Sequence, residues 1–184
     1  KLLGMIEQIL MISRMQNKEI QLKPELADLV AVTRASLNMM TQTLSEKQVQ
    51  FRFETEQSHY PVWMDVQIIE RVIANLLNNA IKYSPDGAEI PVGIATKENS
   101  VLVSVTNWGD VIPRKDQRRI FDLFYRVRNQ DAKYAGTGLG LTFCKLAVES
   151  HGGRINVASP VLPEMHGARF KFTLPLKPFA RNEA

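Results

Sequence analysis

Between Glu70 and Tyr83 the chain sets three polar side chains against an apolar stripe. Asn75, Asn79 and Lys82 recur at i, i+4 and i+7, so on a helix they stack along one face. Val72, Ile73, Leu76, Leu77, Ala80 and Ile81 hold the opposite face at helical period. Asparagine is a poor helix former, because its side chain offers the backbone competing hydrogen bonds. Asn75, Asn78 and Asn79 together cost the helix on the order of 1–2 kcal/mol relative to good formers. A local rule broken repeatedly without a structural gain points to a working surface. An amide oxygen is a fair ligand for a hard cation such as magnesium, and Lys82 adds a point charge suited to phosphate. A solvated polar face that happens to contain asparagines fits the same pattern. A second candidate is Gly136-Thr137-Gly138-Leu139-Gly140, directly before a helical pattern. Its backbone can approach a phosphate closely, and the free N–H groups of the following helix favour an anion. No strand precedes it and no Gly-Lys-Ser/Thr follows, so it is neither a Rossmann fingerprint nor a P-loop. A plain flexible hinge accounts for these glycines equally well.

Elements to position these residues are legible on either side. Residues 1–16 form a helical pattern with a wide apolar face and no N-cap, as if the helix began upstream. Ile20 to Pro24 is an extended link, and a second helix is expected from Glu25 to about Lys47, with Leu26, Leu29, Val30, Leu37, Met40 and Leu44 inward. Val49 to Glu54 alternates as a strand, Tyr60 to Met64 is another, and Asp65 stands where an N-cap belongs. Ser84-Pro85-Asp86-Gly87 stops the central helix. Ile90, Val92, Ile94 and then Val101, Val103, Val105 alternate in a strand pair, with Pro91 suggesting an edge or bulge. Arg114 to Tyr125 reads as a short helix or irregular turn anchored by Ile120, Phe121 and Phe124, and 129–135 as a mobile stretch. Leu141 to Ser150 is a helix ended by Gly152-Gly153, with His151 in a capping role. Arg154 to Val157 and Arg169 to Leu174 close the sheet. Strands and helices in this order imply an α+β sandwich, a sheet covered on one face by helices.

Composition narrows the function classes. With 45% hydrophobic residues in 184, one ordinary core is within reach. Cys144 is the only cysteine, so there is no internal disulfide, which fits a reducing compartment. No signal peptide or bilayer-length apolar run is visible, and a cytoplasmic location without membrane contact is expected. A net charge of +4 is too small to demand nucleic acid, and no aromatic-interleaved basic patch supports it.

The motifs, taken together, resemble a known family. Asn75-Leu-Leu-Asn-Asn79-Ala-Ile-Lys82-Tyr83 resembles the N box of sensor histidine kinases, the ATP-binding half of bacterial two-component systems. Asn107-Trp-Gly109-Asp-Val-Ile-Pro113 resembles their first glycine box, Ile120 to Arg126 the F box, and Gly136 to Leu141 the second glycine box. The four stand in the family's order and at its intervals, over nearly all of the chain. The resemblance implies a Bergerat-type two-layer sandwich, with a mixed sheet of about five strands under three helices. Residues 1–18 would be the end of the dimerisation and phosphotransfer helix, 19–178 the catalytic ATP-binding domain, and 179–184 a polar tail. It further implies ATP and magnesium as ligands and γ-phosphate transfer to a histidine in the upstream dimerisation domain. Relay to a response-regulator receiver domain and a homodimeric full-length protein would follow.

Residue by residue, Asn79 would coordinate magnesium and Asn75 would line the phosphate side. Lys82 would reach the phosphates, and Tyr83 would flank ribose and phosphates. Asn107 would meet the adenine amino group, with Gly109 giving the base room. Arg126 and Lys133 would neutralise phosphate charge, so that Asn75, Lys82 and Arg126 carry the catalysis. Gly136, Thr137, Gly138, Leu139 and Gly140 would form hinge and cradle. Two positions depart from the family's pattern, which has Asp where Asn107 stands and Gly where Val111 stands. An amide free to turn can serve adenine or guanine, so Asn107→Asp is expected to tighten ATP binding and sharpen discrimination against GTP. Val111 would resist a positive φ. His59, His151 and His166 are the only histidines, and none sits in a phosphoacceptor-like context. The alternatives are a non-catalytic nucleotide-binding or protein-interaction module of the same fold, and an ATP-hydrolysing relative of the topoisomerase, chaperone or mismatch-repair type. The latter carry a general-base Glu where Asn75 stands, and a neutral amide cannot take a proton from water.

Overall fold

Asp65 caps the helix around which the molecule is built, its carboxylate accepting from the Ile68 N–H at 3.2 Å. The computed structural model describes residues 2–17, 19–40, 47–127, 136–162 and 166–177. Within them run α1 (Leu2–Gln16), β1 (Glu25–Asp28), α2 (Leu29–Met39), β2 (Gln50–Thr55), β3 (Pro61–Met64), α3 (Val66–Tyr83), β4 (Glu89–Lys97) and β5 (Ser100–Asn107). A 3-10 turn (Arg119–Phe121), α4 (Gly140–Ser150), β6 (Ile155–Ala158) and β7 (Ala168–Pro175) complete the order. The main sheet has five strands in the order β2-β4-β5-β7-β6. It is mixed: β2 runs parallel to β4, and the other neighbours are antiparallel.

Period-two alternation assigns one face of this sheet to the core. Ile90, Val92 and Ile94 of β4, Val101, Val103 and Val105 of β5, and Phe170, Phe172 and Leu174 of β7 are all buried. Val72, Ile73, Leu76, Leu77, Ala80 and Ile81 of α3 and Phe143, Cys144, Ala147 and Val148 of α4 are buried over them. Helix α2 packs on α3 and sets the Arg34 guanidinium 4.9 Å above the Phe53 ring of β2. The fold is the expected two-layer α+β sandwich. α4 ends in a Schellman turn: Gly153 N–H reaches the Val148 carbonyl, Gly152 N–H reaches the Glu149 carbonyl, and Gly152 takes the left-handed conformation at φ +73°.

Several expectations need correction. The second helix does not begin at Glu25 or reach Lys47. Residues 25–28 are a strand paired antiparallel with β3, Leu26 opposite Trp63, and Leu26 is 58% exposed. Asp28 then caps α2, accepting from the Val30 N–H at 3.1 Å, and α2 ends at Met39. Leu44 and the 129–135 stretch lie outside the described residues. β4 is an interior strand, not an edge. Pro91 is tolerated because the β5 ladder begins one residue later, at Val92 opposite Val105. Phe124 is no anchor: it is 56% exposed with φ 59°, while Ile120 and Phe121 are buried. In α1, Ile12 and Met15 bury against the domain as the helix packs on α4, and the Arg71 Nη1 donates to Met11 Sδ at 3.1 Å. Ile6, Ile9 and Leu10 of the same helix stay exposed.

Candidate functional site

The polar face of α3 forms one wall of a cleft of about 280 Å³. Asn75, Asn79, Lys82 and Tyr83 line it from α3, Asn107 from the end of β5, and Arg126 from the segment after the 3-10 turn. Gly136, Thr137, Gly138 and Gly140 line it from the approach to α4. The structure thus brings together residues from four separated stretches. Gly109 and Leu139 do not line the cleft, and Lys133 lies outside the described residues.

Each wall has a physical cause. Helix α3 turns its hydrophobic stripe into the core, so the asparagines three and four residues apart must face outward on the cleft side. Gly138 has φ +72°, and a Cβ there would stand 2.9 Å from the Phe124 backbone. That position needs glycine twice over. A Cβ on Gly136 would come 2.8 Å from Lys82 Nζ, so the ammonium lies close over glycine backbone. Lys82 Nζ also donates to the Tyr83 hydroxyl at 3.1 Å and sits 4.7 Å from the Tyr83 ring centroid. Leu139 is wholly buried and serves as an apolar anchor, its carbonyl accepting from the Phe143 N–H. Thr137 Oγ1 accepts from the Leu139 N–H at 3.3 Å.

Gly109 has a packing task that its motif does not name. A Cβ at this position would be 2.3 Å from the Tyr83 carbonyl oxygen, so glycine lets the strand end press against the end of α3. Val111 does not occupy the left-handed region; outside glycine, positive φ among the described residues falls at Gln48, Glu98 and Phe124. Asn107 is 4% exposed. Turned so that each amide atom meets a partner of the right kind, Asn107 donates from Nδ2 to the Ala168 carbonyl at 3.1 Å and accepts at Oδ1 from the Gly109 N–H at 3.3 Å; in the opposite orientation it makes neither bond. The backbone around Asn107 thus favours one amide orientation over the other.

The cleft lining mixes polar side chains with apolar ones. Asn75 Nδ2 is buried with no hydrogen-bond partner among the described residues, and it is Oδ1 that faces the glycines, 3.4 Å from where a Cβ on Gly140 would stand. Ile112, Ile120 and Phe170 supply apolar lining. The arrangement suits a ligand with a flat apolar part and a polyanionic tail. No cluster of three or more His, Cys, Asp or Glu exists among the described residues, so a metal here would take most of its ligands from the bound anion and water. Magnesium is commonly held in this way, and the Asn79 amide oxygen suits it. Cys144 lies behind Asn75, with Sγ 3.7 Å from the Val72 carbonyl. Burial pushes its thiol up to about 12, against a weaker opposing pull from the Asn75 amide, so it is no nucleophile.

Sequence reasoning missed Gln8, which reaches the cleft from α1, together with Asn78, Asp110 and the apolar lining. Asn78 stood inside the asparagine run and was findable there. Gln8 carried no signal, because only the packing of α1 on α4 brings it near.

Comparison with known proteins follows the same lines. Residues 64–178 match the model of the histidine kinase-, DNA gyrase B- and HSP90-like ATPase family. Adaptive-response sensory kinase SasA of Microcystis aeruginosa is 34% identical over 94% of this chain and 44% of its own length. Sensor histidine kinase WalK of Bacillus subtilis is 33% identical over 96% of this chain and 29% of its own length. The chain thus spans less than half of either relative. The solved catalytic domain of histidine kinase ThkA superposes with a TM-score of 0.74 at 28% identity, covering 84% of this chain and 97% of that one.

Proposed function

The chain belongs to the histidine kinase-, DNA gyrase B- and HSP90-like ATPase family, and from that membership we propose that its cleft binds Mg-ATP for protein-histidine phosphorylation. In this reading it is the catalytic domain of a cytoplasmic sensor histidine kinase. It passes the γ-phosphate to a histidine on an upstream dimerisation domain, for relay to a response-regulator receiver domain. The observation that carries it is the meeting of the Asn75, Asn79 and Lys82 face with the Gly136–Gly140 backbone across one cleft.

Phosphoryl transfer asks a protein mainly for positioning and charge neutralisation. Lys82 and Arg126 supply positive charge, the glycine backbone and Asn75 supply N–H donors, and Asn79 would hold magnesium. That ion, when bound, draws off charge as it builds on the phosphate oxygens. Lys133 adds a further cation in the same role. Asn107 offers the oxygen that also accepts from Gly109, and the apolar lining receives the adenine ring. Asn75 is a neutral amide and cannot act as general base, which argues against a hydrolytic relative. His59 and His166 are exposed and His151 is buried, and none lines the cleft, which supports an acceptor outside this chain. The exposed Ile6, Ile9 and Leu10 support a further helix or a second copy packing on α1, as in a homodimer. Calorimetric titration with Mg-ATP tests the reading. Saturable one-to-one binding that needs magnesium is expected, and a chain that takes up no nucleotide would end it.

A further inference from the structure

A helix leaves its last four carbonyls without partners inside the helix. At the C-terminus of α3 the Ala80 carbonyl takes the Ser84 N–H at 3.0 Å. Beyond it, Lys47 Nζ donates to the Ile81 carbonyl at 2.7 Å, to Lys82 at 2.8 Å and to Ser84 at 2.6 Å. An ammonium has three N–H donors, and three carbonyls meet them here. The negative end of the helix dipole favours a cation at this spot as well. Lys47 reaches it from 34 to 37 residues upstream and is itself laced to the turn it caps. Its carbonyl accepts from the Gly87 N–H at 3.3 Å, and Gln50 N–H reaches the Ala88 carbonyl at 3.0 Å.

The capped turn is where two motifs of the cleft touch. It carries Lys82 and Tyr83, which line the wall. The Tyr83 carbonyl abuts Gly109 so closely that no Cβ would fit between them. Ser84 Oγ accepts from the Trp108 N–H at 3.2 Å, tying the same turn to the end of β5. We propose that Lys47 is a positioning residue for nucleotide binding: by capping α3 it fixes the last turn, and so sets Lys82 and Tyr83 against the strand end at 107–109. The proposal rests on the reading of the cleft as a Mg-ATP site. Lys47 touches no ligand in this account and acts through Lys82.

A double-mutant cycle tests it, with Mg-ATP titrated into wild type, Lys47→Met, Lys82→Ala and the double variant. Lys47→Met should weaken binding about tenfold in the wild-type background but less than about threefold in the Lys82→Ala background, because residues acting as a unit are not additive. Lys47→Arg, which still offers charge and donors to the carbonyls, should retain most of the affinity. Wild-type affinity in Lys47→Met, or the same tenfold loss in both backgrounds, overturns the proposal. If wild type binds no Mg-ATP, the nucleotide reading fails by itself, and amide exchange without nucleotide decides the positioning role. Lys47→Met should speed exchange at Lys82, Tyr83, Ser84 and Trp108 and leave the β6–β7 ladder at wild-type rates. Uniform acceleration across the molecule, or no change at those four amides, overturns it. Should Lys47→Met fail to fold, Lys47→Gln takes its place in both measurements with the same expected outcomes.

Discussion

Asn107 and Asn79 are the same residue type put to different use. Asn107 is buried and spends its amide on Ala168 and Gly109. Asn79 is half-buried on the cleft face of α3. A carboxylate at 107 has no proton to give the Ala168 carbonyl, so two acceptors would face each other where a hydrogen bond now stands. Leaving a buried acceptor unpaired costs about 1–3 kcal/mol. Asn107→Asp should therefore lower stability by that order in urea unfolding and should not tighten ATP binding in calorimetry. This reverses what the motif alone implies, since a motif names residue types and not the backbone groups that hold them. Tighter ATP binding by Asn107→Asp at unchanged stability would show that the amide turns freely after all. Asn79→Ala should act the other way round. On the proposed function it removes the oxygen that would hold magnesium, so Mg-ATP affinity should fall while stability stays within about 0.5 kcal/mol. A large drop in melting temperature at unchanged affinity would make Asn79 a structural residue.

Helices α3 and α4 are joined at their ends by a side chain that sequence reasoning placed only half correctly. His151 is the C-cap of α4, as expected, but its ring also reaches α3. Nδ1 lies 2.7 Å from the Ala147 carbonyl and must donate, which leaves Nε2 to accept from the Asp65 N–H at 3.0 Å. The second bond requires the neutral ring, since a protonated Nε2 has no lone pair to accept with. Burial lowers the folded-state pKa of His151 below its ordinary value of 6.5, with the Ala147 carbonyl and the Asp65 charge opposing more weakly. A group whose folded pKa is depressed contributes stability that is present above the unfolded value and lost as pH falls through the folded one. Stability should thus be level just above pH 6.5 and decline below it, and His151→Gln should flatten that decline in urea titrations run at several pH values. An equal decline in both proteins would assign it to other groups. Asp65 was legible as a cap because a cap is a local pattern. The reach of His151 to it was not, because 86 residues separate them. The same holds for β1. Leu26 and Leu29 share a helical spacing, yet pairing with β3, remote in sequence, takes residues 25–28 and leaves Asp28 to start the helix. Local periodicity read α3, β4, β5 and β7 well, since each follows one period from end to end.

Among the described residues the cleft holds the polar and glycine groups that the proposed Mg-ATP site asks for, and none of the three histidines lines it. His59 sits beside Asp28, Nδ1 to Oδ2 3.0 Å, where α2 begins. His151 is wholly buried between helix ends. His166 is exposed ahead of β7. None of the three lines the cleft, and transfer within one copy would need the reacting atoms about 3–3.5 Å apart. On the proposed function the acceptor histidine would come to the cleft from elsewhere, and α1 would mark one side of that approach. It packs on α4, sets Gln8 into the cleft lining and leaves Ile6, Ile9 and Leu10 uncovered. Incubated with γ-labelled ATP, this chain should bind nucleotide yet acquire no acid-labile label. When the same residues are supplied with an upstream helix bearing an acceptor histidine, label should appear on that helix. It should be lost with Lys82→Ala, which strips the cleft wall of its ammonium, and persist when His59 and His166 are replaced together by Gln. Stable label on His59, His151 or His166 of the isolated chain would mean that the domain phosphorylates itself, and the separation of donor cleft from acceptor would have to be abandoned.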